Sequence, residues 1–316
     1  SSERGVVVLS SFVTCYLFLG GAGGGALAII CFLELFGRLL PNTPRGILAY
    51  RQLQARGSLV CFGLLALGAL CLWLDLGRSV NAFTLILSPQ PTPLAIGAFS
   101  LALALLCSAL LALSACFDSP LLLRASHALR VSLRVVGLAA GLLVTGYTAA
   151  LLGSSAAVIA WQSPLLLPLF MLSSLSSGLA ALLLATVFAD EDALGTRRLC
   201  VLLNADTALI VLELICLAVF IALMAAQPAS VAGAKALLCG NLAPVFWGLL
   251  VAAGLVFPLF LERLPQHPTQ TRVLVLALCV LVGAAALRWC VVDLAAYDPS
   301  QVYAGVQYIE TAVIGR

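Results

Sequence analysis

The residues here that could do chemistry are few, and they stand where charge is costly. Asp206, Glu213 and Arg288 interrupt long apolar runs, in a chain that is 63% apolar and 9% charged. An ionisable side chain at membrane depth is expensive, so each is a default site candidate. Asp206 and Glu213 are seven residues apart and so share one face of a helix. Glu213 falls near the middle of its run, where it reads either as a proton-relay carboxylate or as a neutral, hydrogen-bonded structural acid. With Arg134 they would make a path toward one side of the membrane.

A second group gathers at one depth. At about 1.5 Å per residue, Tyr147 lies roughly 24 Å along its helix, and Arg288 comes out at a similar height. Asp75 and Arg78 emerge at the same edge, with Asp293 close to it. Thr14, Cys15 and Tyr16 lie in the matching half of the first run, and Trp161, Gln162 and Ser163 lie in a loop at that end. The plain reading is an interfacial belt of Trp161, Trp247 and tyrosines with a snorkelling arginine. Arg288 stands about two turns from its helix end, however, and a buried guanidinium wants a carboxylate, for which Asp75 or Asp293 could serve. Glu34 and Glu262 fall near the opposite rim and are expected to be solvated.

The elements that carry these residues are set by hydropathy. A soluble domain is usually about 25% charged. With a mean hydropathy of +1.15, this chain has too little polar surface for water, and lipid removes that problem. A spanning helix needs about 20 mainly apolar residues. Eight runs qualify: 6–37, 58–76, 94–117, 131–153, 164–188, 199–226, 237–261 and 272–297. The expected fold is thus an all-α polytopic membrane protein of eight transmembrane helices in one integral domain, residues 1–316. Residues 298–316 would form an outer C-terminal tail that either contributes to a docking surface or is a loose terminus. Pro164 and Pro168 open the fifth run, where a helix start tolerates proline, and Pro244 and Pro258 are expected to kink the seventh. The first run is too long for a signal-peptide core and reads as a retained helix. In it, Gly20-Gly21-Ala22-Gly23-Gly24-Gly25 permits close helix approach.

Arginine sets the orientation. The loops after runs 1, 3, 5 and 7 hold eleven: Arg38, Arg45, Arg51, Arg56, Arg124, Arg130, Arg134, Arg197, Arg198, Arg263 and Arg272. The other side holds four basic residues, Arg4, Arg78, Lys235 and Arg316. The excess marks the cytoplasmic side and puts both termini outside.

Several classes of function fall away. A net charge of +3 with no basic stripe offers no nucleic-acid surface. The eleven cysteines form no CxxC, and most sit singly in apolar runs as small hydrophobes, so neither a metal nor an iron–sulfur cluster is expected. His127 and His267 both fall in expected loops, leaving no helix histidine for an intrinsic haem.

An ordered set of short motifs resembles the NrfD-like membrane subunits of polysulfide-reductase-type complexes. The set is Tyr16-Leu17-Phe18-Leu19-Gly20-Gly21, Asp75-Leu76-Gly77-Arg78, Tyr147-Thr148 with Leu151-Leu152, and Ser163-Pro164-Leu165 running into Pro168-Leu169-Phe170. It continues through Ser173, Ser176, Ser177 and Gly178, then Glu213-Leu214, and ends in Ala286-Leu287-Arg288-Trp289. The resemblance spans nearly the whole chain. It implies two four-helix halves, a quinone or quinol ligand (menaquinone or ubiquinone) and no intrinsic haem or iron–sulfur cluster. It also implies an iron–sulfur subunit docked on the outer face, where the Asp75–Arg78 loop emerges, with a molybdopterin catalytic subunit commonly beyond it. The setting is a bacterial cytoplasmic (inner) membrane, with membrane lipid as solvent. On this reading Tyr147 bonds one quinone oxygen, Asp75 passes a proton outward with Arg78 or Arg288 holding it, and Thr14, Tyr16 and Trp161 line the slot. Two other classes compete. A secondary transporter would show paired broken helices and an inverted repeat. A structural anchor would leave Tyr147, Asp75 and Arg288 facing separate interfaces.

Overall fold

The computed structural model describes residues 11–36, 44–76, 93–116, 127–154, 158–187, 196–228, 230–263 and 269–297. Residues 6–10 of the first expected run, Arg78, the 298–316 tail and His267 lie outside them, as do the side chains of His127, Arg197 and Arg198. The described residues hold nine α-helices and no strand: α1 Ser11–Phe36, α2 Pro44–Leu76, α3 Pro93–Cys116, α4 His127–Gly153, α5 Leu166–Val187, α6 Thr196–Ala226, α7 Val231–Cys239, α8 Phe257–Glu262 and α9 Gln270–Asp293. A π-helical segment, Pro244–Val256, runs directly into α8. Eight stretches are long and apolar enough to cross a membrane, as the sequence leads one to expect.

Two runs differ from expectation. Helix α2 begins at Pro44 rather than near 58, because the stretch before Ser58 is polar but made of good helix formers, with proline at its tolerated first position. Hydropathy sees only the apolar part. The seventh run is not one kinked helix from 237. Helix α7 ends at Cys239, a turn follows through Gly240 and Asn241, and Pro244 opens the π segment instead of bending a helix interior. Proline lacks the N–H that a helix start leaves unpaired anyway, so it marks a beginning. Pro258 likewise sits at the second residue of α8, where π winding gives way to α.

Helices α1 and α5 form the centre. Of their spanning windows 72% is buried, against 28% for α2, α6 and the seventh span, whose Leu67, Trp73, Leu212 and Trp247 point outward. Packing is continuous across the two expected halves: α1 contacts α5 about as broadly as it contacts α2 and α4. The glycine run makes this possible. Gly23 faces Leu65 of α2, Gly24 faces Gly141 of α4, and Gly25 lies against the Ser174 backbone of α5, where any Cβ would collide. Gly178 of α5 meets Gly25 and Ala26 from the other side. Without a hydrophobic force between helices in lipid, such backbone approach supplies the van der Waals contact that holds them. Gly254 and Gly283 repeat the device between the π segment and α9.

Candidate functional site

Tyr16 on α1 and Tyr147 on α4 are brought together. Tyr16 is fully buried and Tyr147 nearly so, and their hydroxyls lie close enough to influence each other. Neither hydroxyl completes a hydrogen bond of good geometry. Gly97 of α3 makes the room: the Tyr147 ring occupies the place its Cβ would need. Buried phenols normally find partners, so two orphaned donors side by side are an unusual feature. Thr14 is half-buried one turn or less from Tyr16 on α1.

Trp161 is not an interfacial residue. It stands in a one-turn 3-10 helix, Ile159–Gln162, rather than a loose loop. Its ring is buried, and the indole N–H donates to the Val291 carbonyl of α9 at 2.8 Å. This contact staples the connection before α5 to the end of α9.

Arg288 is also buried, with no exposure at all, and the carboxylates expected to hold it do not. Its guanidinium donates to Ser173 Oγ (2.7 Å), Ser174 Oγ (2.8 Å) and the Ala284 carbonyl (2.9 Å), and lies 5.3 Å from the centre of the Phe170 ring. Asp75, at the end of α2, and Asp293 are exposed instead. Glu213 of α6 is the acid that belongs to this layer. Its carboxylate lies beside Ser173 and feels the Arg288 charge without a direct ion pair. The layer adjoins the tyrosines along α1: the Tyr16 ring packs on Gly20, and the next residue, Gly21, faces Ser174 and Arg288. Ser173 was visible as a motif residue and Ser174 was not singled out, and neither was read as the arginine's partner, because hydroxyls in helices are common and carry no charge signal.

Asp206 is fully buried one layer further along, accepting from Ser176 Oγ at 2.9 Å. Thr207, next to it, shares a hydrogen bond with Glu262 of α8. Glu262 is therefore not a freely solvated rim residue; one of its carboxylate oxygens is buried and without a partner. Glu34 departs in the same way. Its side chain is only 2% exposed and pairs with Arg134 at 2.5 Å, with Gln54 beside it. A small cavity lined by Ile30, Leu33, Leu182 and Leu202 opens beside Glu34 and Gln54. Arg134 is thus committed to α1 and is not on the Asp206–Glu213 face. Sequence reasoning missed both pairings because rim acids usually reach water, and only the packing of neighbouring helices covers these two.

The described residues contain no cluster of three or more His, Cys, Asp or Glu that could hold a metal ion. The described cysteines are free, with Cys31, Cys61, Cys107 and Cys290 buried in helix packing.

No curated protein matches the chain closely enough to be reported as a relative. The family model of the polysulphide reductase NrfD type matches residues 2–297, nearly the whole sequence and all eight spans. The chain belongs to that family of integral membrane subunits.

Proposed function

We propose that this chain is the membrane anchor and quinol/quinone-reactive subunit of a respiratory oxidoreductase complex. Family membership carries the coarse reading of a quinone-linked, multi-pass membrane subunit. The single structural observation behind a quinone site is the pair of buried, unpartnered hydroxyls of Tyr16 and Tyr147. A quinone is a flat apolar ring with two carbonyl oxygens, and a buried carbonyl left unpaired costs affinity. Two orphaned phenol donors in an apolar wall fit that ligand. When bound, it supplies two-electron, two-proton chemistry that no side chain here provides.

The chain's own residues position and move protons. Tyr147 donates to one oxygen with Tyr16 beside it on α1, and Thr14 and Trp161 are assigned to the wall, Trp161 being fixed by its bond to Val291. Asp75, exposed at the end of α2, hands protons to the outer solvent, with Arg78 as its expected neighbour in sequence. Glu213 and Asp206 serve the opposite direction. Electrons pass to an iron–sulfur subunit docked on the outer face, and a molybdopterin subunit beyond it completes the reaction; subunits of this family typically pair with both. The membrane is the bacterial inner membrane, with the arginine-rich loops inside.

Tyr147→Phe in the purified complex tests the site. Quinol oxidation should fall by about tenfold or more, the worth of one well-made hydrogen bond to a buried oxygen. Assembly and thermal stability should hold, since the removed hydroxyl makes no hydrogen bond of good geometry in the protein. Unchanged turnover would remove Tyr147 from the reaction.

A second reading, a structural anchor without quinone chemistry, draws on one observation. Tyr147, Asp75 and Arg288 do not meet: the first faces Tyr16, the second faces outward, and the third is held by serines. Iron and molybdenum in a complex that shows no quinol activity would favour the anchor.

A further inference from the structure

Asp206 and Glu262 come from different helices, α6 and α8, and each presents a buried carboxylate oxygen with no hydrogen-bond partner, Asp206 Oδ2 and Glu262 Oε1. Glu262 is among the charged neighbours of Asp206, and it is tied to the next residue, Thr207, through the threonine hydroxyl. Two ionised carboxylates do not share a dry site, because like charges at short range repel strongly where water cannot screen them.

The Thr207 hydroxyl adds a count of hydrogens. It is placed to donate to the Leu203 carbonyl at 3.0 Å and also to meet Glu262 Oε2. A hydroxyl has one hydrogen and two acceptor lone pairs. If its hydrogen goes to Leu203, the second contact needs a hydrogen from the glutamate, which a protonated carboxyl provides. Ser176 gives its single hydrogen to Asp206 Oδ1, leaving Oδ2 able to take another.

We propose that Asp206 and Glu262 together hold one exchangeable proton, in a site completed by Thr207 and Ser176 that opens at the arginine-rich end of the bundle. Glu262 is the last residue of α8 and only partly buried, so it takes the proton from solvent; Asp206 is fully buried and receives it. The transfer is a proton moving between two carboxylates, with one neutral and one ionised before and after. Among the described residues, the charged groups beside the pair have a place in it. Arg272 of α9 lies near Glu262 while donating to the Leu261 carbonyl, which favours keeping one negative charge there. Glu213 lies two turns further along α6, with Ser173 one turn from Ser176 on α5, so the same face continues to the Arg288 layer. Arg134 and Glu34 are paired elsewhere and take no part. The inference does not rest on the quinone reading, since the tyrosine pair is a separate cluster on α1 and α4.

Infrared spectroscopy of the full chain reconstituted in lipid tests it without any turnover. At neutral pH the protein should show a carbonyl band of a protonated carboxylic acid that shifts in deuterated buffer. Glu262→Gln should change that band, leaving Asp206 alone to carry it at a shifted frequency and a lower titration midpoint. Asp206→Asn should keep it but lower its titration midpoint by about one pH unit or more, because the repelling neighbour is gone. Thr207→Val, nearly the same in shape, should keep the band and move its frequency as the hydrogen bond is lost, which also reports that the fold survives. A band indifferent to Glu262→Gln, or a midpoint unmoved by Asp206→Asn, would overturn the shared proton. Loss of the band on adding sodium at fixed pH would overturn it too, by making the pair a metal-cation site.

Discussion

Arg134 and Arg288 are both buried in large part, and each has a glutamate nearby, yet only Arg134 touches its glutamate. Arg134 is 29% exposed near the start of α4 and pairs with Glu34 at 2.5 Å. Arg288 has no exposure and spends its hydrogens on two serines and a carbonyl, with Glu213 held beside one of those serines. The difference follows from depth. At the rim, water relieves part of the cost of the Arg134 charge, and the covered Glu34 is held by the direct pair. Deep in the bundle an isolated charge is far more costly, and neutral hydroxyls, a carbonyl and the Phe170 ring spread it over several contacts. That arrangement leaves Glu213 beside the arginine without a direct ion pair.

Three experiments bear on this contrast, in falling order of effect. Arg288→Met should cost about 3 kcal/mol or more of stability, because it strips the neighbouring charge from a buried glutamate. The melting temperature of the purified protein measures it, and Glu213→Gln added to Arg288→Met should recover much of the loss. No recovery would mean that the arginine is held for its serine contacts alone. Next, Gly21→Ala should cost about 1–3 kcal/mol, the range for overpacking a tight core. Its Cβ would fall 2.7 Å from Ser174 Oγ and 3.2 Å from the Arg288 guanidinium, pushing aside the arginine's own holders. A neutral outcome would show that this layer is loosely packed. Arg134→Gln should cost least, about 1 kcal/mol or below, since the arginine is partly exposed and the carboxylate left beside Gln54 stands near a helix end, where a proton can neutralise it. If it destabilised the protein as much as Arg288→Met, the contrast between rim and core would fail.

Much of the fold could be read in the chain. Apolar run length placed all eight spans, and the pairing of Asp206 and Glu213 on one face of α6 followed from their spacing. The site was legible only as a set of candidates. Tyr16 and Tyr147 were named, but nothing in either helix states that Gly97 of α3 clears the space in which they meet. Arg288 was singled out for its charge, and its partners were sought among carboxylates when they were the silent serines of α5. Glu34 and Glu262 were read as solvated because they stand at helix ends, whereas neighbouring helices cover them.

The sequence alone determined that this protein lives in lipid, how many times it crosses and which costly side chains lie at depth. Each of those is a local property, because the free energy of transferring a helix to hydrocarbon sums over its own residues. Tertiary structure decided which of those side chains meet. Contact between helices depends on the rotation and close approach of two backbones, which the glycines of α1 permit on three sides at once. A polar group's partner is therefore a property of the neighbouring helix, and it is not written in the segment that carries the group.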